Sequence, residues 1–304
     1  MCIKERNASD STCKKLLRDK GCFADLCNYA FFQGRQVIQP EELVSRENDL
    51  STLIGKVDDP TEIKRYRDVV RKASIHGDYV IIGVEHQSTF DEKMIFRILN
   101  YDATIYINQV ESKQEIYPVG SFVFYTGDEE WKLPETLKET LKSIPSEMEP
   151  YINDWRLPVV ELKTMDARKL MNRRLRDVVE ISQSVFAGSY DGLRENRKIE
   201  TESFMMATTF TCTNIRREDL PEGNEINMCK AMDQLFQRFE NQGIEKGEAI
   251  GIEKTLKEQL KVKRGTISSP LEEKLTTTSL EKLNELTLNI FNINSEEDIL
   301  KIIN

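Results

Sequence analysis

Apolar residues recur along the first part of the chain with two different periods, and each period predicts a different kind of element. Helical spacing predicts helices over residues 12–34 and 91–105. Alternating or β-branched stretches predict strands over four ranges: 67–73, 79–87, 119–126 and 157–162. The order helix, hairpin, helix, strand, strand, helix favours a sheet covered by helices, of the α/β or α+β class.

The first two predicted strands carry the candidate chemistry. A polar turn, His76-Gly77-Asp78, separates them and predicts a hairpin that brings Asp68 back toward Glu85. Glu85 and Gln87 point to the same face, because strand side chains alternate with period two. Two carboxylates and an amide are the minimum needed to hold a divalent metal against a phosphate. Spacing alone favours the plainer interpretation, a surface hairpin with polar ends.

After about residue 166 the strand patterns stop and helical periodicity continues. Helices are predicted over 166–186, 198–213 and 227–259, followed by a basic, glycine-ended break at 261–265 and short amphipathic helices. These changes predict three regions: a main domain over 12–190, a helical extension and linker helix over 191–260, and a small helical module over 266–304. The last region is too short for an independent core. We expect it to pack on the main domain or on a second copy of itself, and self-association is favoured.

Composition excludes several classes of protein. Charged residues make up 31% of the 304 residues and apolar residues 39%, and no apolar run approaches the roughly 18 to 20 residues that span a bilayer. The first residues lack the apolar core of a signal peptide, so a cytoplasmic location is expected. Six cysteines without a CxxC pair, and only two histidines, argue against a zinc site.

The net charge of −9 counts against a general nucleic-acid binder, although local clusters matter more than the sum. The densest basic stretch covers residues 163–176. On a helix, Lys169, Arg173 and Arg176 would share one face. A solvated face is the favoured interpretation, and a phosphate-contacting face is the alternative.

The longer string around the hairpin resembles a known family. RDVVRK, GVEHQS and MIFRILNYDA are similar to the motifs of the Rpn recombination-promoting nucleases, also described as transposases, in the PD-(D/E)XK nuclease superfamily. The helix pattern falls on Met94, Arg97 and Tyr101. The likeness extends over most of residues 20–255, through CFADLCNYAFFQGRQVIQPEEL, IYPVGSFVFYTGDEEW, YINDWRLPVVEL and INMCKAMDQLFQRFENQGIEKGEAIGIEK.

The resemblance implies a fold, an activity and a set of site residues. The fold is a restriction-endonuclease-like mixed α/β sheet flanked by helices and followed by a helical C-terminal region. The activity is metal-dependent DNA endonuclease, hydrolysing phosphodiester bonds and promoting recombination. Asp68, Glu85 and Gln87 are the catalytic candidates, with Asp68 and Glu85 binding Mg²⁺ or another divalent cation and the backbone carbonyl of His86 as a third ligand. Much of the superfamily has Lys at the position of Gln87, and an amide only orients water and donates neutral hydrogen bonds.

Four further residues are second-tier candidates. Asp25 and Asn28 could face the site from the first helix, or they could be ordinary packing polar groups. Arg97 and Tyr101 share a helix face and could hold a phosphate or buttress the carboxylates, with buttressing favoured. The alternative function is a catalytically weak or inactive nuclease-fold protein that acts as a DNA-binding or regulatory partner. A third reading is a partner-binding protein whose C-terminal helices dominate its role.

Overall fold

The computed structural model describes residues 3–44, 69–113, 115–189, 197–213 and 215–303. It divides into two compact units, residues 1–229 and 230–304. The boundaries predicted after residues 190 and 260 were placed where the periodicity changes. The division between the two compact units falls after Cys229 instead. The three regions with their boundaries stay a prediction.

The chain begins with two helices where the sequence predicted one. Helix α1 covers Ile3–Arg18 and α2 covers Lys20–Phe32. Asp19 between them is extended (φ −67°, ψ 121°), and its side chain accepts a hydrogen bond from the Cys22 backbone N–H at 2.9 Å. Such a cap competes with continued helix and starts a new one. Helix α2 ends where predicted, since Gln33 and Gly34 have φ values of 57° and 89°.

A five-stranded mixed sheet forms the centre of the first unit. Its strands lie in chain order: β1 Leu43–Val44, β2 Val69–Ile75, β3 Asp78–Gln87, β4 Val119–Tyr125 and β5 Val159–Glu161. The first three pair antiparallel, and β3, β4 and β5 are parallel. The predicted hairpin is confirmed, with φ values of 53° at His76 and 96° at Gly77 in its turn. The mixed α/β fold class is confirmed and is consistent with a restriction-endonuclease-like fold.

The remaining elements of this unit are helices and one small sheet. In chain order they are α3 Met94–Glu111, α4 Leu137–Thr140, α5 Arg173–Ala187, β6 Lys198–Glu200, α6 Thr201–Phe210 and β7 Glu225–Asn227. The prediction that strands stop after residue 166 was wrong, because β6 and β7 pair antiparallel around Ile199 and Ile226. Three-residue strands are too short to show a period in the sequence.

The central sheet is covered on both faces. Helix α3 packs on one face, where Met94, Ile95 and Ile98 contact Val123 and Tyr125. The opposite face packs on α2 and α6. There Phe31 meets Phe122, and Phe210 meets Phe124, with ring centroids 5.4 Å and 6.2 Å apart. Every second residue of β3 and β4 therefore faces α3.

The second unit contains most of a long helix and three short ones: α7 Met228–Arg264, α8 Ser269–Thr276, α9 Leu280–Leu288 and α10 Glu296–Ile303. Helix α7 continues through its three glycines and ends before Gly265 (φ 86°). The short helices bury their leucines and isoleucines against Leu256 and Leu260 of α7. Residues 266–304 thus pack on the end of α7, a surface that the sequence prediction did not consider, and self-association stays a prediction. None of the helices in the described ranges is long and apolar enough to cross a membrane.

Candidate functional site

The carboxyl end of β3 carries the two described members of the predicted site. Glu85 is in register with Val123, and Gln87 with Tyr125. Since these partners lie in the cluster beneath α3, Glu85 and Gln87 also face α3. Glu85 is 4% exposed, whereas Gln87 at the strand end is partly exposed. A buried carboxylate and an amide open to solvent thus share one face.

Arg97 of α3 pairs with the buried carboxylate. Its Nη2 donates to Oε1 of Glu85 at 2.6 Å, and its Nη1 donates to Oδ2 of Asp91 at 2.7 Å. The Arg97 side chain is 39% exposed, so it spans from the protein interior to solvent. This contact joins the end of β3 to the first turn of α3, and the buttressing of the carboxylates by Arg97 and Tyr101 stays a prediction.

The charges at this contact reinforce one another. Burial by itself disfavours the cation, but the hydrogen bond to Asp91, the charge of Glu85 and the neighbouring Tyr101 raise the pKa of Arg97 above its ordinary value. Burial also acts against the Asp91 anion, yet Arg97 and the Lys93 backbone N–H lower the pKa of that carboxyl. The guanidinium stays charged at any physiological pH and provides a fixed counter-charge for Glu85.

The backbone carbonyl groups at the end of β3 point in defined directions. The Gln87 carbonyl accepts from the Thr126 N–H at 2.8 Å, and the Ile81 N–H donates to the Pro118 carbonyl at 2.8 Å. The backbone N–H and C=O groups of the odd-numbered residues of β3 therefore form hydrogen bonds with the β4 side. The carbonyl of His86, an even-numbered residue, is directed to the side of β3 where β2 lies.

Asp68, the first predicted metal ligand, lies outside the described residues. The residue after it, Val69, is in register with Val84, the residue before Glu85. Among the described residues there is no group of three or more His, Cys, Asp or Glu side chains that could hold a metal ion.

Comparison with known proteins adds a family to this geometry. Residues 61–209 match the model of a family described as putative transposase, YhgA-like. This part of the chain, a little under half of it, is similar to that family. It is the Rpn-like, PD-(D/E)XK-like group that the motifs around Glu85 resemble, so the resemblance is confirmed. The family description points to a nuclease-like role. No curated protein and no solved structure matches the chain significantly.

The structure shows hydrogen-bond partners for Asp25 and Asn28 of α2. The carboxylate of Asp25 accepts from Gln36 Nε2 at 3.1 Å and from the Asn172 backbone N–H at 2.8 Å. Asn28 Oδ1 accepts from the Ile38 N–H at 2.8 Å, and its Nδ2 donates to the Ile38 carbonyl at 2.8 Å. Both side chains are buried, and these bonds fix the connection after α2 and the start of α5. None of these hydrogen-bond partners belongs to β3.

The basic stretch does not form the predicted single helical face. Residues Ala167–Lys169 are a 3₁₀ turn, and α5 begins only at Arg173, capped by Asn172. Arg176 donates to the Leu170 carbonyl at 3.1 Å, and Arg173 to the Lys198 carbonyl, so both arginines tie loops together. Arg174 and Arg176 are partly buried, whereas the exposed cations of the stretch are Lys163, Arg168, Lys169 and Arg173.

One acidic residue near the site was missed in the sequence. Glu161 ends β5 in register with Tyr125, which is in register with Gln87, so the three side chains form a row across the ends of the parallel strands. Burial raises the pKa of Tyr125 to about 12, helped by Glu129, Glu161 and Asp128. Trp131 donates its backbone N–H to Glu161 at 2.9 Å and packs on Tyr125, with ring centroids 5.1 Å apart. The only available signal was an acidic residue directly after an apolar strand.

Proposed function

We propose that this protein is a metal-dependent DNA endonuclease that hydrolyses phosphodiester bonds and thereby promotes DNA recombination. One observation carries the proposal. A buried carboxylate, Glu85, lies at the carboxyl end of a parallel strand beside Gln87, with its charge balanced by Arg97. A buried carboxylate is costly to maintain without a partner, and such groups cluster at functional sites.

The residues present fit a hard divalent cation. Mg²⁺ needs only one or two carboxylates because it keeps several waters, and Glu85 with Asp68 would supply them. Val70 and Lys72 of β2 point to the same face of the sheet as Glu85. In the sequence, Asp68 stands two residues before Val70. The carbonyl of His86 is the proposed third ligand. Arg97 lies 2.6 Å from Oε1 of Glu85 and would balance the charge of this proposed ligand.

The bound cation would polarise the phosphoryl oxygen and lower the pKa of a coordinated water. The chain's own residues would then do the positioning. Arg97 would balance the negative charge of Glu85 in a partly dry environment. Gln87, at the exposed strand end, would orient the attacking water through its amide. No ammonium occupies this position, so stabilisation of the developing charge would be weaker than with Lys.

The neutral Gln87 also supports the alternative function. A nuclease-fold protein without that positive charge, with a net charge of −9, could bind DNA or regulate a partner with little or no cleavage. In either case we place the protein in the cytoplasm, with DNA as its partner.

Cleavage of supercoiled plasmid with Mg²⁺ separates these functions. We expect wild type to nick or cut the plasmid, and Asp68→Ala and Glu85→Gln to lose cleavage at least about a hundredfold. Glu92→Gln removes an exposed carboxylate from the loop after β3 and is the matched control, with cleavage unchanged. Circular dichroism checks that each variant is folded. Plasmid binding without cleavage by wild type would favour the alternative.

A further inference from the structure

The side chain of His86 lies on the face of β3 opposite Glu85 and is fully buried. Its Nδ1 is 2.8 Å from Oδ1 of Asp10 on α1, and its Nε2 is 2.8 Å from Oγ1 of Thr126. The Ser9 hydroxyl is 3.4 Å from the same Nε2. A carboxylate at Nδ1 favours the tautomer with the ring hydrogen on that nitrogen, in which Nε2 accepts from the Thr126 hydroxyl.

A carboxylate, an imidazole and a hydroxyl in this order resemble a hydrolytic triad. The burial excludes that role, because Ser9 and Thr126 are each 1% exposed and the His86 side chain is 0% exposed. A substrate has no access to either hydroxyl. The group therefore acts on the protein itself.

The position of the group formed by Asp10, His86 and Thr126 shows which part of the backbone it holds in place. Residues 85–87 pair in parallel with residues 123–125 of β4, and the side-chain bonds of His86 add further attachments. Thr126 makes both kinds of link: its N–H binds the Gln87 carbonyl at 2.8 Å, and its hydroxyl faces the His86 ring. Asp10 attaches the other side of the ring to α1. The end of β3 is thereby fixed to two elements that the metal site does not include.

We infer that His86, held by Asp10 and Thr126, is a positioning residue that sets the backbone at the end of β3 for divalent-cation binding. The inference rests on the proposed metal site at Glu85. A fixed ring fixes the His86 carbonyl and the orientation of the two side chains on the opposite face, Glu85 and Gln87. Partners of this kind typically change metal affinity by about 10- to 100-fold.

Binding of Mn²⁺ alone, measured by calorimetry on the full chain, tests this role without depending on cleavage. Thr126→Val keeps the shape of the side chain and removes the hydroxyl, and we expect the Mn²⁺ affinity to fall about tenfold. Thr126→Ser keeps a hydroxyl and should restore the affinity. Phe210→Leu is the control for simple destabilisation, because Phe210 packs on His86 with ring centroids 5.8 Å apart but makes none of its hydrogen bonds. We expect it to lower the melting temperature and leave Mn²⁺ affinity unchanged.

The outcomes distinguish a failure of the proposed metal site from a failure of the role inferred for His86. If Thr126→Val binds Mn²⁺ as wild type does, while Glu85→Gln does not bind it, the metal site stands and the role of His86 is overturned. If Phe210→Leu loses as much affinity as Thr126→Val, stability explains the effect and the role is again overturned. If wild type binds Mn²⁺ no better than Glu85→Gln, the proposed metal site itself fails, and the inference fails with it.

Discussion

The two compact units bury different kinds of side chain. In the parts of the chain that the structure describes, the buried polar and charged residues all lie in the first unit, among them Glu85, His86 and Asp102. The core of the second unit consists of leucine and isoleucine. Buried polar groups cost free energy unless each finds a partner, but their bonds are directional and fix geometry. The first unit is therefore built to position groups, and the second is built to associate helices.

The largest expected difference is in catalysis. Glu85→Ala should reduce Mg²⁺-dependent plasmid cleavage at least about a hundredfold, because it removes a charged ligand from a hard-cation site. Leu260→Ala should leave cleavage within about twofold, since Leu260 packs in the leucine and isoleucine cluster of the second unit. Equal loss in both variants would contradict the division of roles between the units.

The same leucine should matter strongly for stability. Leu260 is 0% exposed, so Leu260→Ala leaves a cavity and should cost about 2–5 kcal/mol of unfolding free energy. Leu288 in the same unit is 84% exposed, and Leu288→Ala should stay within about 0.5 kcal/mol of wild type. Urea unfolding followed by circular dichroism measures both. Similar values for the two variants would show that the second unit has no packed core.

A smaller effect is expected at the ion pair of the first unit. Arg97→Met removes the charge partner of a carboxylate that is 5% exposed, and should cost about 1–3 kcal/mol. Arg97→Lys retains the charge and should recover part of this loss, although an ammonium cannot reach Glu85 and Asp91 with the same fork. Thermal unfolding of the three proteins at pH 7 provides the comparison. An Arg97→Met protein as stable as wild type would mean that the pair contributes nothing net.

The decrease in the free energy of unfolding at acid pH should depend in part on Asp91. Burial alone would raise its pKa, but Arg97 and the Lys93 N–H hold it below the ordinary value. A carboxyl with a lowered folded pKa stabilises the fold above its unfolded pKa, near 4, and loses that contribution as the pH falls through the folded value. Asp91→Asn should therefore be less stable than wild type at pH 7, with the gap closing below about pH 4. Urea titrations at pH 7 and pH 3 test this, and a constant gap would contradict it.

The weakest expected effect concerns self-association, which stays a prediction. The helices of the second unit bury most of their apolar stripe internally. The most exposed apolar side chains left for a second copy are Val262, Leu288 and Phe291, each more than four-fifths exposed. Light scattering of the full chain against a Leu288→Ser, Phe291→Ser variant measures particle mass. We expect a dimer for the full chain at high concentration and a monomer for the variant. A monomer in both cases would end the proposal.

Sequence patterns determined the central hairpin, the following helix and the two parallel strands because each pattern spans several residues of one period. They also determined that Glu85 and Gln87 share a face, which depends only on the alternation of strand side chains. The apolar pattern predicted one helix across Asp19, but the Asp19 side chain caps a new helix there, so the predicted helix is divided into two. The strands β6 and β7 have three residues each, which is less than a period can reveal.

Only the tertiary structure decided the partners of the polar residues. Asp25 could have faced the site, but its carboxylate binds Gln36 and the backbone of Asn172, which is 147 residues away in the chain. Asp10 gave no signal in the sequence, yet it binds His86 across 76 residues. The glutamines, aspartates and histidines of a sequence show which bonds are chemically available. Which of those bonds form depends on long-range packing, because a buried polar group binds whatever partner the fold brings within about 3 Å.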